Sequence, residues 1–382
     1  MKILVIGGYG NFGRRLVQSL LEHYDHKIVI AGRSIKKAEN LASELSLKFN
    51  SIVKSAYIDV LSNDLNNILY IVKPDLVVNA SGSFHFQSNH KNRINLKSYQ
   101  VAKACLLAKC HYLDFADNRE YVFNFEDTFD EKAKKLGLVF VSGASTVPGL
   151  TDAVIQHYLP EFSELTSINY GISPGNKTER GKGTVTSILS YTGKPFNTLK
   201  NGQFESIYGW QNLSLYDFGS PIGKRWMSNC DIPDLELLPV KYPELKSVKF
   251  QAGLEVSILH LGLWFLSLLS RIGWVKNWSP YANPITIMSE WFSSLGSDCG
   301  GMFVILEGVG LDNSDKKINW QLVAEDGLGP NIPTIPIEIL IQKLSNYELE
   351  SGAKSCLGMF SLDEFFAIAD RWNIYQREAC DD

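Results

Sequence analysis

The sequence lacks a surplus of either charge: 37 Lys and Arg stand against 41 Asp and Glu, a formal net charge of -4 in 382 residues. Without a basic field to gather phosphates, nucleic acid is not an expected partner. Cysteine is scarce and unpaired in pattern. Cys105, Cys110, Cys230, Cys299, Cys356 and Cys380 form no CxxC pair and no metal-ligand spacing with the scattered histidines, among them His85, His90 and His111. This excludes a metal site from the reading and points to reduced thiols in a cytoplasmic protein. There is no secretory pattern either, because the first apolar run, Ile3–Ile6, breaks at once into glycines.

Long hydrophobic runs are also missing. Leu259–Val275 comes nearest, but it is shorter than the roughly 20 residues of a membrane span, and it contains His260 and Arg271. A buried or interface helix is the favoured reading. Membrane-surface contact is the lesser one, suggested by Trp264, Phe265, Trp274 and Trp278 around Arg271 and Lys276.

What is present is a rhythm. Through residue 142, short β-branched runs alternate with helical ones, the mark of βαβ units around a parallel sheet. Six strands are expected, at Lys2–Ile6, Lys27–Ala31, Val53–Ile58, Asp75–Asn79, Tyr112–Phe115 and Leu138–Val141, with helices at Asn11–His23, Ile35–Leu45 and Arg93–Ala108. A helix over Leu150–Leu159 then leaves this domain. Beyond it the rhythm stops, and strand-like segments such as Ser167–Ile172 and Val248–Gln251 mix with glycine-rich and aromatic loops. Met302–Leu311 and Lys317–Ala324 read as a hairpin around Asp312, Asn313, Ser314 and Asp315. Ile337–Leu344 and Leu362–Trp372 read as amphipathic helices. The expected fold is α/β: a Rossmann-type doubly wound parallel sheet (1–148), an inserted α+β domain on a largely antiparallel sheet (149–328), and C-terminal helices (329–382) returning to the first domain.

Gly7-Gly8-Tyr9-Gly10-Asn11-Phe12-Gly13 follows a strand and opens a helix. Glycines there allow a tight turn and let backbone N–H groups approach a pyrophosphate at the positive helix end. The end of the second strand indicates which dinucleotide. An NAD site would place an acid there for the ribose 2'-hydroxyl, whereas the chain runs Ala31-Gly32-Arg33-Ser34. Arg33 can clamp a 2'-phosphate and Ser34 can add a hydroxyl, so NADP is the expected cofactor. Asp59 and Val60 end the third strand, where a carboxylate can accept from the adenine amino group. Ala80, Ser81 and Gly82 follow Asn79 at the end of the fourth, where small residues let the chain pass close to the cofactor.

The glycines fit GxGxxG through Gly8, Gly10 and Gly13, and equally GxxGxxG through Gly7, Gly10 and Gly13, a form typical of short-chain reductases. Those enzymes use a Tyr-xxx-Lys pair. Tyr99 with Lys103 and Tyr242 with Lys246 have that spacing, but the first falls one βα unit early and the second contains Pro243.

Several segments in order resemble the saccharopine dehydrogenase-like family instead. Val5 to Arg15 resembles its opening, His111-Tyr112-Leu113-Asp114-Phe115-Ala116 its fifth-strand segment, and Gly143 to Leu150 its crossover loop. Gly181-Lys182-Gly183-Thr184, Gly296 to Gly301 and Gly329 to Pro333 are similar to segments of an uncharacterised branch. The resemblance implies an NADP-dependent oxidoreductase acting at a carbon–nitrogen bond, an imine or secondary amine, of an amino-acid-like substrate. The crossover loop departs from the family's pattern, with Ser145-Thr146 where an acidic step is usual. Two alternatives accompany it: a reductase of a hydrophobic carbonyl or enoyl substrate, and an NADP-binding protein without turnover.

Candidate catalytic residues lie at strand ends. Asp117 is suited to relay a proton or to cap the segment beginning at Asn118, while Ser145 and Thr146 are suited to hydrogen-bond backbone or carboxamide. Arg180 and Lys182 are candidates for a substrate carboxylate, or else solvated charges. An exposed sheet face in the second domain would suit pairing with its copy, so a homodimer is expected.

Overall fold

The computed structural model describes residues 1–62, 64–82, 84, 99–179 and 181–378, with the side chains of Lys182 and Thr184 excepted. The expected alternation holds through residue 142. It runs β1 (Lys2–Ile6), α1 (Asn11–His23), β2 (Lys27–Gly32), α2 (Ile35–Phe49), β3 (Lys54–Tyr57), α3 (Leu65–Val72), β4 (Leu76–Asn79), α4 (Gln100–Ala108), β5 (His111–Asp114), α5 (Arg119–Phe123), α6 (Phe125–Leu136) and β6 (Val139–Ser142). Ile3–Ile6 and Leu76–Val78 are fully buried, as strands covered on both faces must be. The α4 helix begins at Gln100; the expected earlier start at Arg93 lies outside the described residues.

The chain continues through α7 (Thr151–Tyr158), β7 (Phe162–Ser173), α8 (Lys182–Tyr191), β8 (Pro195–Lys200), β9 (Gln203–Tyr208), β10 (Ser214–Asp217), β11 (Lys224–Asn229), α9 (Asp234–Lys241), β12 (Ser247–Gly253), α10 (Ser257–Arg271), α11 (Ala282–Glu290), β13 (Gly300–Gly310) and β14 (Asp315–Ala324). The hairpin of β13 and β14 closes as read. Asp312 Oδ1 accepts from Ser314 N at 3.0 Å, and Asn313 takes a left-handed φ of 62°. Then follow α12 (Ile335–Ser345), β15 (Gly352–Ser355), α13 (Leu362–Ala369) and β16 (Ile374–Glu378).

Two compact units result: Met1–Leu150 with Asn331–Phe360, and Thr151–Pro330 with Ser361–Asp382. The first holds an all-parallel sheet in the order β15-β6-β5-β4-β1-β2-β3. Strand order reverses between β1 and β4, so the crevice at their carboxyl ends is the topological switch point where ligands of such sheets sit. The second holds the mixed sheet β10-β11-β12-β7-β13-β14-β16, whose neighbours are antiparallel except for β12 and β7. Along it, buried Ile168, Tyr170, Val248, Phe250 and Leu306 alternate with Ser167, Asn169, Lys249 and Glu307, so one face is packed and the other polar.

Two expectations need correction. The C-terminal segment does not return to the first unit as a whole. α12 does, where the buried Glu338 accepts from the hydroxyls of Ser19 (2.6 Å) and Tyr24 (2.8 Å), and β15 extends the parallel sheet beside β6. But β16 pairs antiparallel with β14, satisfying an open sheet edge in the second unit, and α13 goes with it. The second concerns Leu259–Val275, read as a buried or interface helix: in α10 the buried residues are His260 and Ser267, and much of its apolar surface faces outward, which removes the buried alternative and leaves the interface one.

Candidate dinucleotide site

The chain leaves β1 into a turn that only glycine can make. Gly7 has φ +78°, and a Cβ on it would lie 2.5 Å from the Ala80 carbonyl oxygen beyond β4. A Cβ on Gly13 would lie 2.3 Å from the Gly7 oxygen, and one on Gly8 2.9 Å from the Val5 oxygen. These clearances are below any real contact, so both glycine spacings are required by the same packing rather than competing for it. Gly7 N donates to Ala31 O at 2.7 Å and Ala80 N to Ile6 O at 2.8 Å, tying the turn to β2 and β4.

Gly10 is the N-cap of α1 and has no side chain to offer its first N–H groups. Those groups and the helix dipole therefore leave an anion-accepting end at the switch point. Phe12 stacks on Phe115 with ring centroids 5.9 Å apart, and Asn11 Oδ1 accepts from Arg15 Nε at 3.1 Å, which fix the two side chains of the loop's second half.

Tyr9 reaches the end of β2. A Cβ on Gly32 would strike the Tyr9 hydroxyl oxygen at 2.6 Å, and that oxygen accepts from Ser34 N at 2.9 Å. Ser34 also caps α2, its hydroxyl oxygen accepting from Lys37 N at 3.4 Å, which leaves its proton free to be donated elsewhere. The Arg33 side chain is exposed beside it, and no acid occupies the strand end. Asp59 and Val60 are half-buried, and Asp59 Oδ1 accepts from Leu61 N at 3.0 Å in an Asx turn, so only part of its acceptor capacity is open. Beyond β4, Asn79 Oδ1 accepts from Ser81 N and Ser81 Oγ, at 3.2 and 2.6 Å, and Gly82 takes φ +61°.

Asp114, at the end of β5, is the residue that sequence reasoning passed over. Fully buried, it accepts at Oδ1 from Ala116 N (3.0 Å), Gly143 N (2.8 Å) and Ser142 Oγ (3.0 Å). Burial pushes its carboxyl up to about 6, with the Gly143 and Ala116 N–H groups pulling the other way. Its bonds clamp the ends of β5 and β6 and the start of the crossover loop. An acid in a strand buried on both faces is itself a signal, because it must find partners or destabilise the fold.

Around this clamp lie the three catalytic candidates. Asp117 is exposed just past β5, and the cap of α5 is Asn118, whose Oδ1 accepts from Tyr121 N at 3.0 Å. The N-cap side chain of α5 is thus Asn118 rather than Asp117. Ser145 is half-buried with its N donating to Gly143 O at 2.8 Å, and Thr146 is buried. Neither tyrosine of the Tyr-xxx-Lys spacings stands open. Tyr99 is buried and donates to Tyr121 O at 2.7 Å, and Tyr242 donates to Asp152 Oδ1 at 2.8 Å; burial raises both phenols well above their ordinary range.

In the second unit, Arg180 and the Lys182 side chain lie outside the described residues, as do His85 and His90 in the first. Between the polar face of the mixed sheet and the β8–β9 hairpin there is a groove of about 670 Å³ lined by Asn169, Lys249, Arg271, Tyr208 and Thr198 among others. Lys249 stands directly across from Asn169, and burial lowers the pKa of its ammonium. The Arg271 guanidinium lies 4.4 Å from the centre of the Tyr208 ring.

Residues 3–141 match the family model described as Saccharopine dehydrogenase NADP binding domain. Apo saccharopine dehydrogenase (L-Glu forming) from Saccharomyces cerevisiae shares the fold at 12% identity and a TM-score of 0.65, with 99% of this chain and 100% of that one covered. A meso-DAPDH mutant with DAP from Clostridium tetani E88 matches at 15% identity and a TM-score of 0.44, covering 95% of each chain. A short-chain dehydrogenase/reductase from Serratia marcescens matches at 14% and 0.31, over 37% of this chain and 71% of that one. No curated protein matches.

Proposed function

We propose that this saccharopine dehydrogenase-like chain, with its NADP-binding domain over residues 3–141, is an oxidoreductase that moves a hydride at the carbon–nitrogen bond of an amino-acid-like substrate. The observation that carries the reading is the glycine cradle at the switch point joined to a β2 end with no acid. In this reading the N–H groups of Gly8 to Gly13 take the pyrophosphate, and Arg33 and Ser34 take the 2'-phosphate. Asp59 and Val60 border the adenine, and Ala80, Ser81 and Gly82 border the ribose. NADP supplies or accepts the hydride when bound.

The protein's own part is to orient and to move one proton. Asp117, exposed just past β5, is the proposed proton carrier, and Ser145 and Thr146 are proposed to hold the carboxamide or substrate by hydrogen bonds. Asp114 acts through them as a positioning residue, because it sets the loop on which both stand. Arg180 and Lys182 are the proposed partners of a substrate carboxylate.

A second reading, reduction of a hydrophobic carbonyl or enoyl compound, draws on the outward apolar side of α10. The test is NADPH oxidation by the purified protein over a panel of imines formed from α-keto acids and amino acids, with ketones and enoyl thioesters alongside. Turnover of the imines that is lost in Asp117→Asn supports the first reading. Turnover confined to enoyl or ketone substrates supports the second, and NADPH binding without any oxidation contradicts both.

A further inference from the structure

We propose that the outer face of α10 and α11 docks on a lipid surface carrying anionic headgroups. In α10 no apolar side chain is fully buried, and Leu259, Leu263, Trp264 and Leu266 are half-buried. A helix lying on a protein in water turns its apolar stripe inward and its polar residues outward. Here the buried residues are His260 and Ser267, and both are held by hydrogen bonds. His260 accepts at Nδ1 from Leu254 N at 3.2 Å and meets Ser228 Oγ through Nε2 at 2.9 Å, while Ser267 Oγ donates to Trp264 O at 2.8 Å and is met by Gln211 Nε2.

Outward go Ile258, Leu261, Phe265 and Ile272, exposed by 60, 39, 55 and 61%, at the spacing of one helical stripe. The surface continues through Trp274 and Trp291, exposed by 78 and 76%. Of the 25 large apolar side chains exposed among the described residues, ten fall between Ile258 and Leu295. Scattered apolar residues need no explanation, but a concentration of this kind marks a contact surface.

Composition and charge identify the contact. Four of the eight tryptophans of the chain lie between Trp264 and Trp291, and Trp is the residue that gathers at the boundary of hydrocarbon and headgroup. From residue 256 to 297 the charged residues are Arg271, Lys276 and Glu290, a local excess of positive charge in a chain whose net charge is -4. Cations beside a Trp-rich apolar face suit an anionic headgroup layer. No described helix is long and apolar enough to cross a membrane, so the contact lies along the surface. This inference is independent of the amino-acid reading of the substrate and competes with the hydrophobic-substrate reading for the same face.

The test is flotation of the full chain with vesicles of equal parts phosphatidylcholine and phosphatidylserine, and with phosphatidylcholine alone. Tryptophan emission of the wild type serves as a second readout. Flotation with the anionic vesicles and a blue shift of the emission are expected. Trp274→Ser with Trp291→Ser should weaken partition by about tenfold or more per tryptophan. Lys276→Glu should weaken it by about fivefold or more on the anionic vesicles alone. Unchanged NADPH affinity in both variants checks that they are folded. The proposal is overturned by absence of partition, by partition that ignores the tryptophans, or by a wild-type oligomer that the double variant dissolves without any lipid binding, which would assign the face to a second copy.

Discussion

At Gly13 one methyl group is enough to close the proposed pyrophosphate cradle. The added Cβ of Gly13→Ala would meet the Gly7 oxygen at 2.3 Å, and that oxygen belongs to a turn tied to both neighbouring strands, so it cannot yield cheaply. Loss of NADPH affinity on the order of 100-fold is expected by calorimetric titration, since the turn and the helix end are displaced together. Undiminished affinity would contradict the assignment. Asp114 makes a different prediction. Its folded carboxyl is raised by burial from 3.8 to about 6, so the folded chain keeps a proton that the unfolded chain has released. The resulting stabilisation is complete below about pH 4 and is lost as pH rises through about 6, amounting to at most ~3 kcal/mol. Asp114→Asn has no proton to lose. Its stability relative to wild type should therefore improve as pH rises through that window, and a difference flat in pH would contradict the account. These two residues also mark what could be read in advance. The glycines were legible because their constraint is local, a turn followed at once by a helix. Asp114 was not, because its partners at Ser142 and Gly143 come from a strand 28 residues on, as the separation in the bonds shows, and meet it only when β5 and β6 pair.

Elements were legible where their burial was one-sided or complete, and illegible where a neighbour defines them. β1, α1 and the hairpin of β13 and β14 lie close to the expected limits because their patterns are long and their turn residues specific. β15 and β16 were missed. Each is four or five residues long, and β16 buries chiefly Ile374, so its identity as a strand comes from the β14 edge it covers. The apolar content of α10 fits a buried helix and an interface helix equally; composition cannot say which way a helix faces, and here His260 and Ser267 take the inner side. The seam of α1 and α12 offers a measurable test at this scale. Glu338→Ala would leave the buried hydroxyl of Ser19 and the half-buried one of Tyr24 without this acceptor, at a cost of ~1–3 kcal/mol in urea denaturation. A change below about 0.5 kcal/mol would show that the seam is solvated.

For the molecule as a whole, the division into two units separates the cofactor's domain from the sheet that bears the polar groove. A ligand that binds only the first unit stabilises it by mass action. NADPH at about 100 times its Kd should raise the corresponding thermal transition by roughly 5–10 °C. The polar side of the mixed sheet is the proposed side of homodimer pairing, and a monomer mass by light scattering at micromolar concentration would remove it. The central claim is more specific than either: the end of β2 selects NADP through Arg33. It is tested most directly by titrating NADPH and NADH into the wild type and Arg33→Ala. The account predicts a wild type that prefers NADPH by at least about tenfold, and a variant that loses most of that preference while its NADH affinity holds. A wild type that binds NADH equally well, or a variant that keeps its preference for NADPH, would contradict it.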